Sequence, residues 1–439
     1  MSTKRKPVGR YLYGAGGLFS VTEAVVLLMT PYLARTAEIN ELALMLAMLF
    51  GLALPALTMP LLYALINGST RITTGRYHIP LALSALAASL ACVTMLGVGG
   101  KNAPLQAFLL IGLLFVFSLC AQIYNYCYFS IGVRLDPSGR ALKVKSACSA
   151  ASILIAAVAV LFLHDGTLSG VRATFAAAGI VGVIAGAVVY ASTVMSMPAF
   201  IRIEPRHKRP LREHYARFVA PLKSGTIVVF VAATFSLCVA LALGAAAIPM
   251  YVFEYALDFS KGMQIHTLIV TALIAVCGVV ISFVVKKYGE RVGVRISFIS
   301  VIVQTVAAIV CAALICAPVA QSAQTAVLTI FAASMGLAIG SALCSESRAK
   351  EYAAQKVACT PGRYCCLRNC VAALGFGVGA AMAAVVGISS THLGGNTAAA
   401  LGCALYAAFL LASVLLLCVG YYERSRRIES RGVAAKEKV

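Results

Sequence analysis

The sequence predicts an all-α polytopic membrane protein of twelve transmembrane helices, arranged as two pseudo-symmetric six-helix halves. Three observations predict it. Hydrophobic residues fill 61% of the 439 positions and charged residues only 12%, with a mean hydropathy of +0.92. Soluble domains hold about 45–50% apolar and ~25% charged residues. A hydrocarbon core of roughly 30 Å needs about 20 apolar residues per helix. Twelve such runs stand at 11–34, 42–67, 79–99, 104–133, 145–163, 171–197, 225–253, 262–285, 294–317, 324–344, 366–388 and 396–422, here spans 1 to 12. Finally, all but four of the 36 Lys and Arg residues fall in the N-terminus, the even-numbered loops and the C-terminal tail, the exceptions being Arg35, Lys101, Arg172 and Lys261. This is the positive-inside asymmetry, and it places both termini in the cytoplasm.

The net charge of +21 is therefore a topology signal, with some attraction to anionic membrane lipids, and no nucleic-acid partner is expected. Most of the 15 cysteines lie inside predicted helices, where Cys behaves as a small hydrophobe. Cys359, Cys365, Cys366 and Cys370 cluster near the start of span 11, but their spacing is no zinc pattern, so neither metal nor cofactor is expected. The leading MSTKRKPVGR is basic but runs straight into a full-length helix, so no cleaved leader is expected. A phosphate-cradling loop and a nucleophile elbow are both missing, and each segment outside the spans is too short for a catalytic domain. An enzyme is not expected.

Span 1 carries Gly14, Gly16 and Gly17, small residues that let a neighbouring helix approach closely. At its midpoint stands Glu23, the one acidic residue placed at membrane depth, on a face with Gly16, Ser20, Leu27 and Thr30. An ionisable group there is a functional candidate by default, for substrate binding and for coupling to a proton. A protonated, hydrogen-bonded structural carboxyl is the competing reading. Span 2 runs into MPLLYALINGSTRITTGRYHIP (59–80), read as helix, then a loop bent at Gly68 and Gly75, then Pro80 opening span 3. Arg71 and Arg76 hold that loop on the basic side of the membrane. The sequon at Asn67 faces the same side and is read as inert.

A related loop, KKYGERVGVR, follows span 8 with Glu290, Arg291, Gly293 and Arg295. Two equivalent loops, each after the second helix of a half, point to two similar halves, with these charged residues as the gate between them. Span 4 is the most polar. Ser118, Gln122, Asn125 and Phe129 share one face, flanked by Tyr124 and Tyr128. Amides beside aromatic rings suit a polar organic solute, and equally ordinary bonding between helices. The first half is taken as 1–197 and the second as 225–422, joined by a basic linker at 198–224 and followed by a tail at 423–439. The linker holds Arg202, Arg206, Lys208, Arg209, Arg212, Arg217 and Lys223 and is read as a helix at the lipid surface. The second half adds Glu254 and Asp258 near the end of span 7, and the small-residue run Gly375, Gly377, Gly379.

Four stretches resemble the major facilitator superfamily, and within it the melibiose-carrier-like branch of glycoside–pentoside–hexuronide:cation symporters. They are YGAGG in span 1, the 59–80 stretch, YFSIGVRLDPSGR with Asp136 and Arg140, and AKEYAAQKVACTPGRYCCLRN with Glu351, Tyr352, Gly362 and Arg363. The resemblance implies alternating access between the halves around a central site. It also implies acidic cation ligands on span 2, where this chain has Pro55 and Met59. The family's sugar-binding acid of span 4 falls on Asn125, an Arg of span 5 on Cys148, a Lys of span 11 on Ala373 or Leu374, and the stacking aromatic on Phe129. The acid of span 1 falls near Val21, two residues before Glu23 and about 200° around the helix from it. The scaffold is kept while nearly every charged group of the sodium–sugar machinery is gone, so sodium–melibiose symport is not carried over.

These readings converge on a monomeric secondary transporter in a plasma (inner) membrane, moving a small organic, sugar-like solute and coupled to protons through Glu23. An uncoupled facilitator or lipid-type carrier would suit the apolar interior, which has no Trp. A transporter fold that no longer transports, acting as sensor or scaffold, is the reading from another class.

Overall fold

The computed structural model describes residues 13–68, 73–99, 103–135, 167–195, 210–244, 290–315, 361–393 and 395–436, with a few positions within 148–155 and 273–288. Spans 5, 8 and 10 therefore lie wholly or largely outside the described residues. So do Arg71, Lys101, Asp136, Arg140, Glu254, Asp258, Lys261 and Glu351, and the linker before Pro210.

Hydrocarbon offers no water to a backbone N–H or C=O, so each apolar run closes its own hydrogen bonds as a helix. Eight helices among the described residues are long and apolar enough to cross a membrane: Ala15–Thr36, Glu41–Asn67, Tyr77–Gly97, Pro104–Gly132, Leu168–Val194, Gly225–Ala242, Cys366–Ile388 and Asn396–Tyr422. They are spans 1 to 4, 6, 7, 11 and 12, and span 9 is the helix Glu290–Ile315.

Several boundaries differ from the sequence reading. The helix of span 3 begins at Thr73, so Gly75 and Arg76 lie in its first turn and Pro80 in its interior, not at its start. Span 9 begins at Glu290, so Glu290, Arg291 and Arg295 occupy its first turns instead of a loop. Span 11 extends over Pro361–Leu393, and the last helix runs from Gly395 to Lys436, through most of the expected tail. Hydropathy marks only the part of a helix inside lipid, and helical backbone continues past it into the polar edge.

Span 2 is uneven, with a π-helical stretch, Ala47–Ala53, ahead of the helix Leu54–Gly68. Pro55 explains the stretch. It has no N–H for the carbonyl one turn earlier and its ring crowds that carbonyl, so the preceding turn widens. Ser118 of span 4 donates to the Leu52 carbonyl at 3.2 Å, supplying the loosened segment from outside.

Small residues set the packing. A Cβ on Gly16 would come 2.4 Å from both Tyr128 and Val189, and one on Gly182 within 2.6 Å of Ser89 and Thr22. Spans 1, 3, 4 and 6 thus meet at near-backbone distance. In the second half, Gly375 and Gly379 lie against the carbonyls of Phe235 and Val239 in span 7, each 2.6 Å from a built Cβ. Gly377, between them, meets the Ala53 backbone of span 2. The glycine run of span 11 therefore serves span 7 in its own half and span 2 in the other.

At the end of the bundle where span 3 finishes, Arg172 closes the connection. Its Nη2 donates to the carbonyls of Val98 at 2.7 Å and Gly99 at 2.8 Å, and its Nε to Val98 at 3.1 Å. Gly99 has φ +107 and leaves no room for a Cβ beside Leu168. A charged donor to a carbonyl is worth about 1.5–3 kcal/mol. Arg172→Ala is expected to lower the stability of the purified protein by roughly that amount, read as a fall in melting temperature in detergent. An unchanged midpoint would show that the fork is dispensable.

Candidate functional site

The expected polar faces of spans 1 and 4 do meet. Asn125 Nδ2 donates to Glu23 Oε1 at 2.6 Å, joining the midpoint of span 1 to the second half of span 4. Both residues are partly exposed, as are Phe129 one turn beyond Asn125, and Ser20 and Leu27 on either side of Glu23. Ser20 reaches Ser149 at the start of span 5, Oγ to Oγ at 3.0 Å, and Ser149 reaches back to the Gly17 carbonyl at 3.4 Å. Partly exposed Cys148 stands beside Ser149. Spans 1, 4 and 5 so assemble a small set of carboxyl, amide, hydroxyl and aromatic groups.

The remaining members of the expected faces belong to helix packing. Gly16 is covered by the Tyr128 and Tyr124 side chains and Val189. Thr30 is buried and its hydroxyl turns to the carbonyl of Val26 in its own helix. The partly exposed neighbours of Glu23 on that face are therefore Ser20 and Leu27, and not the whole face from Gly16 to Thr30. Tyr128, expected to flank a solute, is fully buried. Its ring stacks on Tyr13 with centroids 4.3 Å apart, and each hydroxyl donates to the other residue's carbonyl. Tyr124 packs on Phe19 at 4.2 Å and bonds the Gly16 carbonyl. These rings hold span 4 against span 1 and so position Asn125 opposite Glu23.

Gln122 is likewise buried, at 7% exposure, with Nε2 on the Ser118 hydroxyl at 3.3 Å. It belongs with Ser118 to the support of the π-helical stretch of span 2. Of the five residues expected to bind solute, Glu23, Asn125 and Phe129 face the partly exposed region, while Gln122 and Tyr128 stand behind it.

The second loop pair is only partly visible. Arg295 is exposed on the first turns of span 9, and the side chains of Arg76, Glu290 and Arg291 lie outside the described residues. At the Gly68 end of span 2, however, sits a junction that the sequence reading missed. Asn67 Nδ2 donates to Tyr126 Oη of span 4 at 2.6 Å and to the Tyr63 carbonyl at 2.7 Å, while Tyr77 Oη of span 3 donates to Asn67 Oδ1 at 2.9 Å. Tyr63 packs on Tyr126 with ring centroids 5.4 Å apart. One amide ties three spans together, four residues before Arg71 in sequence. Nothing in the spacing marks Asn67 for this; a lone amide among apolar residues at a span's end was the available signal.

No family model and no curated protein matches the sequence. Solved structures do match the fold. The chain is similar to a D323A mutant of the nucleoside transporter NupG, at TM-score 0.63 and 13% identity over 94% of this chain and 100% of that one. It is similar to a bacterial homologue of the iron transporter ferroportin in its outward-facing state, at TM-score 0.62 and 14% identity over 94% and 99% of the two chains. A bacterial homologue of the lysosomal transporter Spinster, inward-facing and unoccupied, matches at TM-score 0.58 and 13% identity over 96% of each. The all-helical fold is thus one shared with these solved transporter structures.

The pair gives a direct test. In Asn125→Leu the donor to Glu23 is gone and a hydrogen bond to a carboxyl is lost. The variant should lose roughly 1–3 kcal/mol of stability, read as a fall in melting temperature in detergent. An unchanged midpoint would mean that the side chains do not touch.

Proposed function

We propose that the protein is a secondary transporter that moves a small organic solute by alternating access between its two halves, coupled to protons through Glu23. The observation that carries this reading is the partly exposed carboxyl–amide pair of Glu23 and Asn125, at mid-span in a fold shared with proteins named as transporters. A charged carboxyl at the bilayer centre costs about 2.5–3.5 kcal/mol on insertion scales, so its retention asks for a use. One proton neutralises it, whereas a sodium ion wants several oxygen ligands, and span 2 offers Pro55 and Met59 where the melibiose-carrier-like branch has acids.

The solute contacts Glu23, Asn125 and Phe129: an acceptor, an amide and an apolar ring, a set that fits a neutral, sugar-like or nucleoside-like molecule. Gln122 and Tyr128 act behind them as positioning residues. The paired charged stretches after spans 2 and 8 support a gate at Arg71, Arg76, Glu290, Arg291 and Arg295. We place the protein as a monomer in the plasma (inner) membrane, with both termini in the cytoplasm, on the charge asymmetry of its loops. An uncoupled facilitator is the second reading, favoured by the bond from Asn125 itself, since a carboxyl so held can serve structure alone.

Uptake into proteoliposomes, screened across sugars, nucleosides, amino acids and lysolipids, tests transport as such. With a solute in hand, Glu23→Gln should abolish the pH dependence of uptake while equilibrium exchange survives, because the amide keeps the size and the bonds but carries no proton. A variant with the parent's pH profile would hand the case to the facilitator. For the gate, replacing Arg76 or Arg295 should cut turnover severalfold with substrate affinity largely intact. Loss of affinity alone, at full turnover, would remove both arginines from the gate.

A further inference from the structure

The linker between the halves contains a nine-residue helix, Leu211–Val219, followed by a 3-10 turn, Ala220–Lys223, that leads directly into span 7 at Gly225. Leu211, Tyr215 and Phe218 recur at i, i+4 and i+7 and so share one side of this helix, and Leu222 follows in the 3-10 turn. Only Phe218 is buried, at 2% exposure, with its ring 5.1 Å from that of Tyr63 near the Gly68 end of span 2. Leu211 and Tyr215 are each 49% exposed and Leu222 is 37% exposed. Arg212, Arg217 and Lys223 flank this apolar side and are exposed; Arg217 also meets Glu213 at 3.0 Å, one turn earlier on the exposed surface.

Its level in the structure is set from both ends. Phe218 holds the helix against the end of span 2, and span 7 starts within a few residues of its C-terminus. The helix therefore lies where the spans leave the hydrocarbon. Span 2 presents its own exposed apolar row, Leu54, Leu57, Leu61 and Leu65, running to that same end. The half-exposed side of the linker helix and this row of span 2 thus lie at the same end of the bundle.

We propose that this helix is a binding site for anionic phospholipid. Leu211, Tyr215 and Leu222 seat in the acyl boundary, while Arg212, Arg217 and Lys223 take the phosphate headgroups, with Phe218 fixing the helix's rotation. An apolar stripe edged by cations is the composition that lies in an interface plane, and basic residues close to the surface give it preference for anionic headgroups. The proposal does not depend on the protein being a transporter.

The chain has no Trp, so a single Trp reports without background. Tyr215→Trp and, on the opposite side of the helix, Ala216→Trp are reconstituted as full chains in phosphatidylcholine bilayers. Brominated phosphatidylglycerol or brominated phosphatidylcholine is then added at the same low mole fraction. The indole at 215 should emit at blue-shifted wavelength and be quenched severalfold more by the anionic lipid than by the zwitterionic one. At 216 it should respond to aqueous iodide instead. Adding Arg212→Gln with Arg217→Gln should remove the headgroup preference while quenching by brominated phosphatidylcholine stays. Equal quenching by the two headgroups in the parent background, or iodide quenching at 215 without lipid quenching, would overturn the site.

Discussion

A chain immersed in hydrocarbon must satisfy its own backbone, and this requirement accounts for most polar contacts in the bundle. Where the helix ladder is intact, side chains are free to be apolar. Where it is interrupted, a polar group arrives from elsewhere. Pro55 disturbs span 2, and Ser118 reaches the Leu52 carbonyl from span 4. Span 3 ends at Gly97, and Arg172 takes up the carbonyls of Val98 and Gly99. Span 2 ends near Asn67, whose amide takes the Tyr63 carbonyl as well as two tyrosine hydroxyls. Even Thr22 and Ser413 spend their hydroxyls on carbonyls of neighbouring helices, Ala178 and Ala233.

Against that background stands the pair of Glu23 and Asn125. It joins two side chains, both partly exposed, at the depth where an ionisable group is most costly. The choice of amide at 125 is physically apt. An acid there would oppose Glu23 with like charge, whereas an amide donates to it whether or not the carboxyl is protonated. The rings behind them, Tyr13, Phe19, Tyr124 and Tyr128, make the contact rigid rather than polar.

Helix association in lipid lacks a hydrophobic drive and rests on close packing. The glycines show how this is used. Gly16 and Gly182 bring spans 1, 3, 4 and 6 together, and Gly375, Gly377 and Gly379 let one helix face two directions. Span 11 is thereby packed on both span 7 and span 2.

The sequence by itself determined the class of the molecule, the number of its spans and the side chains worth watching. Apolar length, loop charge and the isolation of Glu23 are properties of local composition, and composition is readable along the chain. Span 4 was recognisable as the polar helix for the same reason. Tertiary structure decided which of its polar groups faces what. Ser118, Gln122, Asn125 and Phe129 share a face by periodicity, yet the first reaches span 2, the second bonds the first within span 4, and the third reaches span 1. Periodicity gives a side chain's direction around its own helix, and helices that cross at an angle meet different neighbours at different depths. Asn67 was invisible for a related reason: its partners Tyr77 and Tyr126 lie 10 and 59 residues away. A hydrogen bond between spans has no signature in either one, because its geometry exists only once both are packed.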